Sequence, residues 1–183
     1  MKKIFLLLAL LLPISIFAQE PTKTEQATFE KFTSKIGSMV KIYSYILPKL
    51  PSIYELATVE VRKVIVDGES LCFLSIEFSP YQKSAQSAFI TYVGLVSMKK
   101  VLEELKSSAE SDSVSEADNL ENKFSLDDGS YIGYYIDKNK LGDKKTTWFF
   151  NINGNEKGTL YFSSPDALLN CFSEAIAKIE AIK

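Results

Sequence analysis

The chain has no histidine among its 183 residues. Imidazole is the usual base of serine and cysteine hydrolases and a common zinc ligand. Ser-His-Asp catalysis, Cys-His catalysis and imidazole-bound zinc are therefore excluded. Cysteine is scarce as well. Cys72 and Cys171 lie far apart and neither belongs to a CxxC pair, so thiol redox chemistry has no motif. Basic excess is also missing, with 21 Lys and Arg against 23 Asp and Glu. Nucleic-acid binding draws on clustered Lys and Arg that release counterions, so this balance argues against it. No Gly-rich phosphate loop occurs, because Gly129, Gly133, Gly154 and Gly158 read as turn or strand residues.

One apolar run stands out, at the amino end. Lys2-Lys3 precede Ile4–Phe17, which is interrupted only by Pro13 and Ser15, and Ala18-Gln19 follow. A basic start, an apolar stretch and a small residue at the junction are the anatomy of a secretory signal peptide over 1–18. The run is shorter than the roughly 20 apolar residues needed to span a bilayer. Gln rather than Cys at position 19 leaves no site for lipidation. The expected product begins near Gln19 in the periplasm or outside the cell. Removing Lys2 and Lys3 takes its formal charge from −2 to −4. In an oxidising compartment a bridge between Cys72 and Cys171 is one reading. The other is a pair of buried thiols, because Cys72 alternates with Leu74, Ile76 and Phe78 while Cys171 shares a helical stripe with Leu168, Phe172 and Ala175.

Beyond the leader the pattern divides in two. Residues 19–36 are polar and weakly helical, with Phe29, Phe32 and Ile36 at helical spacing. A first unit over 37–106 carries strands at Met39–Leu47, Leu56–Val66, Ser70–Phe78 and Ala88–Tyr92, with an Asp67-Gly68 hairpin signal. Leu95, Met98, Val101, Leu102 and Leu105 then mark one helix face. Residues 106–119 hold five serines and four acids with a single base, which predicts a solvated linker over 107–119. A second unit over 120–183 carries strands at Leu120–Leu126, Tyr131–Asp137, Thr146–Ile152 and Gly158–Ser163. Turns are expected at Asp127-Asp128-Gly129 and Asn153-Gly154-Asn155. Its helix starts at Ser164-Pro165-Asp166 and buries Leu168, Leu169, Phe172, Ala175, Ile176 and Ile179.

The expected fold is α+β. Two β4α repeats each form an antiparallel four-stranded sheet followed by a helix, with the helices packed in the core of one compact domain. In this element order the chain resembles the whirly-type (PC4-like) tandem β4α fold. The basic Lys-Gly-Lys-type strand of whirly proteins has no counterpart here, so the resemblance implies an architecture and no activity.

Catalytic patterns are few. Ser97-Met98-Lys99-Lys100 is an SxxK, in which Lys100 could activate Ser97. Penicillin-recognising enzymes pair that motif with an SDN element and a KTG strand, and Lys145-Thr146-Thr147 lacks the glycine. Glu60 and Glu77, beside Arg62 on the polar side of neighbouring strands, are the only carboxylate pair that suits a small hydrolase. Asp127, Asp128 and Asp166 are accounted for by turn and helix-dipole positions. No catalytic residue, metal site or cofactor is expected. The remaining signal is aromatic. If Ile132, Tyr134, Ile136, Trp148, Phe150, Ile152, Leu160 and Phe162 face the helix, then Tyr131, Tyr135, Phe149 and Tyr161 share the opposite face, outside the core. Those four are the expected binding residues of a secreted interaction module. Their partner would be a second copy, another protein or a carbohydrate.

Overall fold

Residues 25–79, 85–126, 130–139, 142–152, 154 and 156–183 are described by the computed structural model. The segment 1–18 read as a signal peptide, the expected Asp127-Asp128-Gly129 turn, and Asn153 and Asn155 of the other expected turn lie outside them. Within them the chain is α+β, with two antiparallel sheets and three helices. The first sheet comprises β1 (Val40–Ile46), β2 (Leu50–Pro51), β3 (Leu56–Val66), β4 (Glu69–Phe78) and β5 (Gln86–Thr91). Its order is β1-β3-β4-β5, with β2 beside the start of β3. Between β3 and β4, Asp67 and Gly68 take φ of 52° and 90°, the two positive values that a tight hairpin requires. Ser38 donates to Asp67 at 2.7 Å and Lys35 pairs with it at 3.2 Å. These contacts hold the carboxyl below its usual range, the Ser38 bond most of all.

Two features of this sheet differ from the sequence expectation. A fifth strand, β2, forms because the chain turns after Pro48 and returns to β3 at Leu50↔Ala57. Two residues are too few to show an alternation. Strand β3 also changes phase. Ala57, Val59 and Val61 are buried on one face, then Val64 and Val66 on the other. The second face is covered by α1 (Glu25–Thr33), whose Phe29 stacks on Phe89 at 3.8 Å and meets Phe73 edge-on at 5.2 Å. Phe32 joins that cluster. Ile36, read as the next turn of this stripe, is fully exposed, because the helix stops at Thr33 and Gly37 follows with φ of 81°.

Helix α2 spans Tyr92–Asp112, with the Thr91 hydroxyl accepting from the Gly94 amide at 3.2 Å. It runs six residues into the segment read as linker. The composition was misleading because tertiary packing, more than propensity, stabilises a helix in a protein. Ser107 and Ser108 return their hydroxyls to Glu103 O and Glu104 O one turn back. Ala109 extends the buried stripe, and the Tyr134 hydroxyl donates to Asp112 Oδ2 at 2.5 Å.

The second sheet follows in plain sequence order: β6 (Asn119–Ser125), β7 (Tyr131–Lys138), β8 (Lys144–Asn151) and β9 (Thr159–Phe162). Helix α3 (Asp166–Ile182) starts where Ser164 Oγ accepts from the Asp166 amide at 3.1 Å. Lys106 reaches Asp166 at 2.7 Å and ties α2 to that start. Leu168, Cys171, Phe172, Ala175 and Ile179 are buried on α3, while Leu169 and Ile176 are half-buried. Helices α2 and α3 pack on each other. Met98, Leu102, Phe172 and Ala175 form one cluster with Val59, Val61, Leu74 and Ile76 of the first sheet and Ile132, Tyr134, Trp148 and Phe150 of the second. No helix among the described residues is long and apolar enough to cross a membrane.

Candidate functional site

Strand alternation and register build the outer face of the second sheet. Phe149 lies directly across from Gly133 on one side and Tyr161 on the other. Tyr131 and Tyr135, two residues either side of Gly133, flank the Phe149 ring at 5.7 Å edge-on and 6.2 Å nearly parallel. Gly133 has a steric reason to lack a side chain. A Cβ there would sit 2.2 Å from the Asn122 carbonyl oxygen of β6. The ring of its cross-strand neighbour thus lies over a bare stretch of backbone, an arrangement that shields glycine in a sheet.

The four aromatic residues expected to share a face are brought together. With Asn119, Leu120, Glu121, Asp137 and Thr159 they line a depression of about 660 Å³. One expectation needs correction. Phe149, expected outside the core, is only 5% exposed and is itself a buried residue. Its tyrosine neighbours bury it without help from a helix. Burial pushes the Tyr161 hydroxyl above its ordinary pKa, and the nearby phenols of Tyr135 and Tyr131 add to the effect. Tyr54, on the β2–β3 loop, meets Tyr161 edge-on at 6.3 Å, and the adjacent Ile53 amide donates to Tyr161 O at 2.7 Å.

The polar rim is charge-balanced. Glu121 pairs with Lys123 at 3.0 Å, which raises the lysine pKa, and that ammonium lies 5.4 Å from the centre of the Tyr131 ring. Asp137 stands opposite Lys145 in register, and the Asn119 amide, oriented to donate, reaches Asp137 Oδ1 at 3.0 Å. Beneath the rim, Asn151 is fully buried and donates to Thr159 Oγ1 at 2.7 Å. Asp137 and Thr159 were within reach of the sequence, since they continue the 131–135 and 161 series. Tyr54, Asn119 and Glu121 were not, because only the register of β6 and the path of a loop bring them here.

The other candidates stand apart. Ser97 is exposed and donates to Val93 O at 3.0 Å, and Lys100 pairs with Glu104. Glu60 is held by Arg62 at 3.1 Å, and Glu77 is exposed opposite Thr58. Both cysteines are free thiols, Cys72 half-buried and Cys171 buried. Desolvation raises both, Cys171 to about 12, so neither is primed as a nucleophile at neutral pH. Among the described residues no group of three or more Cys, Asp and Glu is placed to hold a metal ion. Searched against protein-family models, curated proteins and solved structures, the chain matches none.

Proposed function

We propose that this chain is an exported, non-enzymatic binding module that holds a neutral, hydroxyl-rich ligand of carbohydrate type on the outer face of its second sheet. The observation that carries the reading is the depression of about 660 Å³ floored by Tyr131, Tyr135, Phe149 and Tyr161. Its volume falls in the roughly 300–1,000 Å³ range of small-molecule sites. Flat rings stack on the apolar faces of sugar rings, and phenol, amide and carboxylate groups at the rim bond to hydroxyls. The rim acids each face a lysine, so the site selects for neither sign of charge. Export rests on the 1–18 leader. The two β4α halves are read as repeats of one architectural unit that share a core between their helices.

Calorimetric titration with neutral oligosaccharides tests the proposal, with a lysine-rich peptide as the comparison. Saturable binding is expected for an oligosaccharide, weakened by about 2 kcal/mol in Tyr135→Ser, as for an aromatic anchor. Binding of the peptide alone, or oligosaccharide binding that Tyr135→Ser leaves intact, would overturn it.

A further inference from the structure

Among the described residues the two sheets present four edges, and three of them are protected. The edge of β9 is stopped by the Ile53 amide bonded to Tyr161 O. Strand β6 carries Glu121 and Lys123, and β5 is short, carries Gln86 and Ser87, and packs beside α1. Charge, brevity and a covering element are the usual defences against edge-to-edge pairing. Strand β1, VKIYSYI, is the least defended of the four. It runs seven residues with one charge, no proline and no bulge, and among the described residues no strand pairs with its outer side. Ile42, Tyr43 and Ile46 on it are 50%, 48% and 81% exposed, and Met39 beside it is 73% exposed.

The backbone of β1 fixes how that edge can be used. The Leu47 amide donates to Val59 O at 3.0 Å, and Ile46 stands opposite Glu60. In an antiparallel ladder the bonded positions alternate, so Lys41, Tyr43 and Tyr45 direct their N–H and C=O groups at β3. Ile42, Ser44 and Ile46 direct theirs outward. We propose that β1 pairs antiparallel with β1 of a second copy about a two-fold axis at Ser44, joining the two first sheets into one. This register sets Ile42 against Ile46 of the partner subunit and Tyr43 against Tyr45 of the partner subunit. The lone charge, Lys41, falls opposite Leu47 of the partner subunit, so no like charges meet. A two-fold contact uses both edges at once, so assembly stops at the dimer.

Sedimentation equilibrium across micromolar concentrations tests the pairing. The wild-type protein is expected to be a dimer. Ser44→Pro should be a monomer with an unchanged circular dichroism spectrum, because the N–H it removes makes no bond to β3. Ser44→Lys and Ser44→Asp should each be monomeric, since each sets like charges face to face on the axis. An equimolar mixture of the two should dimerise again. These exposed substitutions keep the test sharp if the proline variant fails to fold. A wild-type monomer, an assembly larger than a dimer, a dimer that survives all three substitutions, or a mixture that stays monomeric would each overturn the proposal. Tyr135→Ser, on the other sheet, should leave the dimer intact.

Discussion

Phe149 and Phe150 are adjacent on β8 and point to opposite faces, which makes them a matched pair for asking what each face contributes. Phe150 is 0% exposed, meets Phe172 of α3 edge-on at 6.3 Å and belongs to the main core. Replacing it with alanine leaves a closed void as well as losing its transfer energy, about 4 kcal/mol by analogy with enclosed aromatic sites. Phe149, at 5% exposed, loses nearly as much surface on folding but is covered by one layer of tyrosine rings. Solvent can enter when it is removed, so the void term drops out and about 2 kcal/mol of transfer energy remains. With a urea slope of about 2 kcal/mol/M, the midpoints should fall by about 1 M for Phe149→Ala and about 2 M for Phe150→Ala. Far-ultraviolet circular dichroism reads both, and the lone Trp148, buried beside Tyr134, gives an independent signal. Equal losses at the two positions would mean that the outer face is as enclosed as the inner one. The outer face would then offer no accessible aromatic site.

Mass spectrometry of the exported protein should place its first residue at or near Gln19, and a full-length species retained in the inner membrane would refute the leader. Native thiol labelling should be slow at Cys72 and slower at Cys171, with both reacting after denaturation. Failure of the denatured, unreduced chain to take up label would reveal a bridge. Burial, with the Asp112 hydrogen bond, pushes the Tyr134 pKa from 10.0 to about 12, so between those values the unfolded chain has released a proton that the folded chain keeps. Stability should therefore fall as pH rises from about 10 to about 12, and Tyr134→Phe should flatten that fall. An identical alkaline slope in wild type and variant would refute the assignment.

Alternation made much of the second sheet legible in advance. Ile132, Tyr134 and Ile136 point to the helices and Tyr131 and Tyr135 away, because a strand has only two faces and the inward one must be apolar. The hairpin at Asp67-Gly68 was legible for a similar reason, since few dipeptides accept two positive φ values. What escaped was whatever depends on elements meeting. The phase change in β3 looks like imperfect alternation until α1 is known to cover Val64 and Val66. The last turns of α2 look like linker until Ala109 and Asp112 find Tyr134 and the rest of the core. The aromatic residues of the candidate site lay on one phase, whereas its rim depended on which residue of β6 stands beside which of β7.

The bond from Ile53 to Tyr161 bears on the order in which the molecule is made. Strand β9 leaves the ribosome after every other described strand, and the residue that seals its edge is synthesised long before it. A completed second sheet therefore never forms without its stopper already at hand. A fragment beginning at residue 120 would have no such partner, and its last strand would offer every unpaired carbonyl to whichever chain came next.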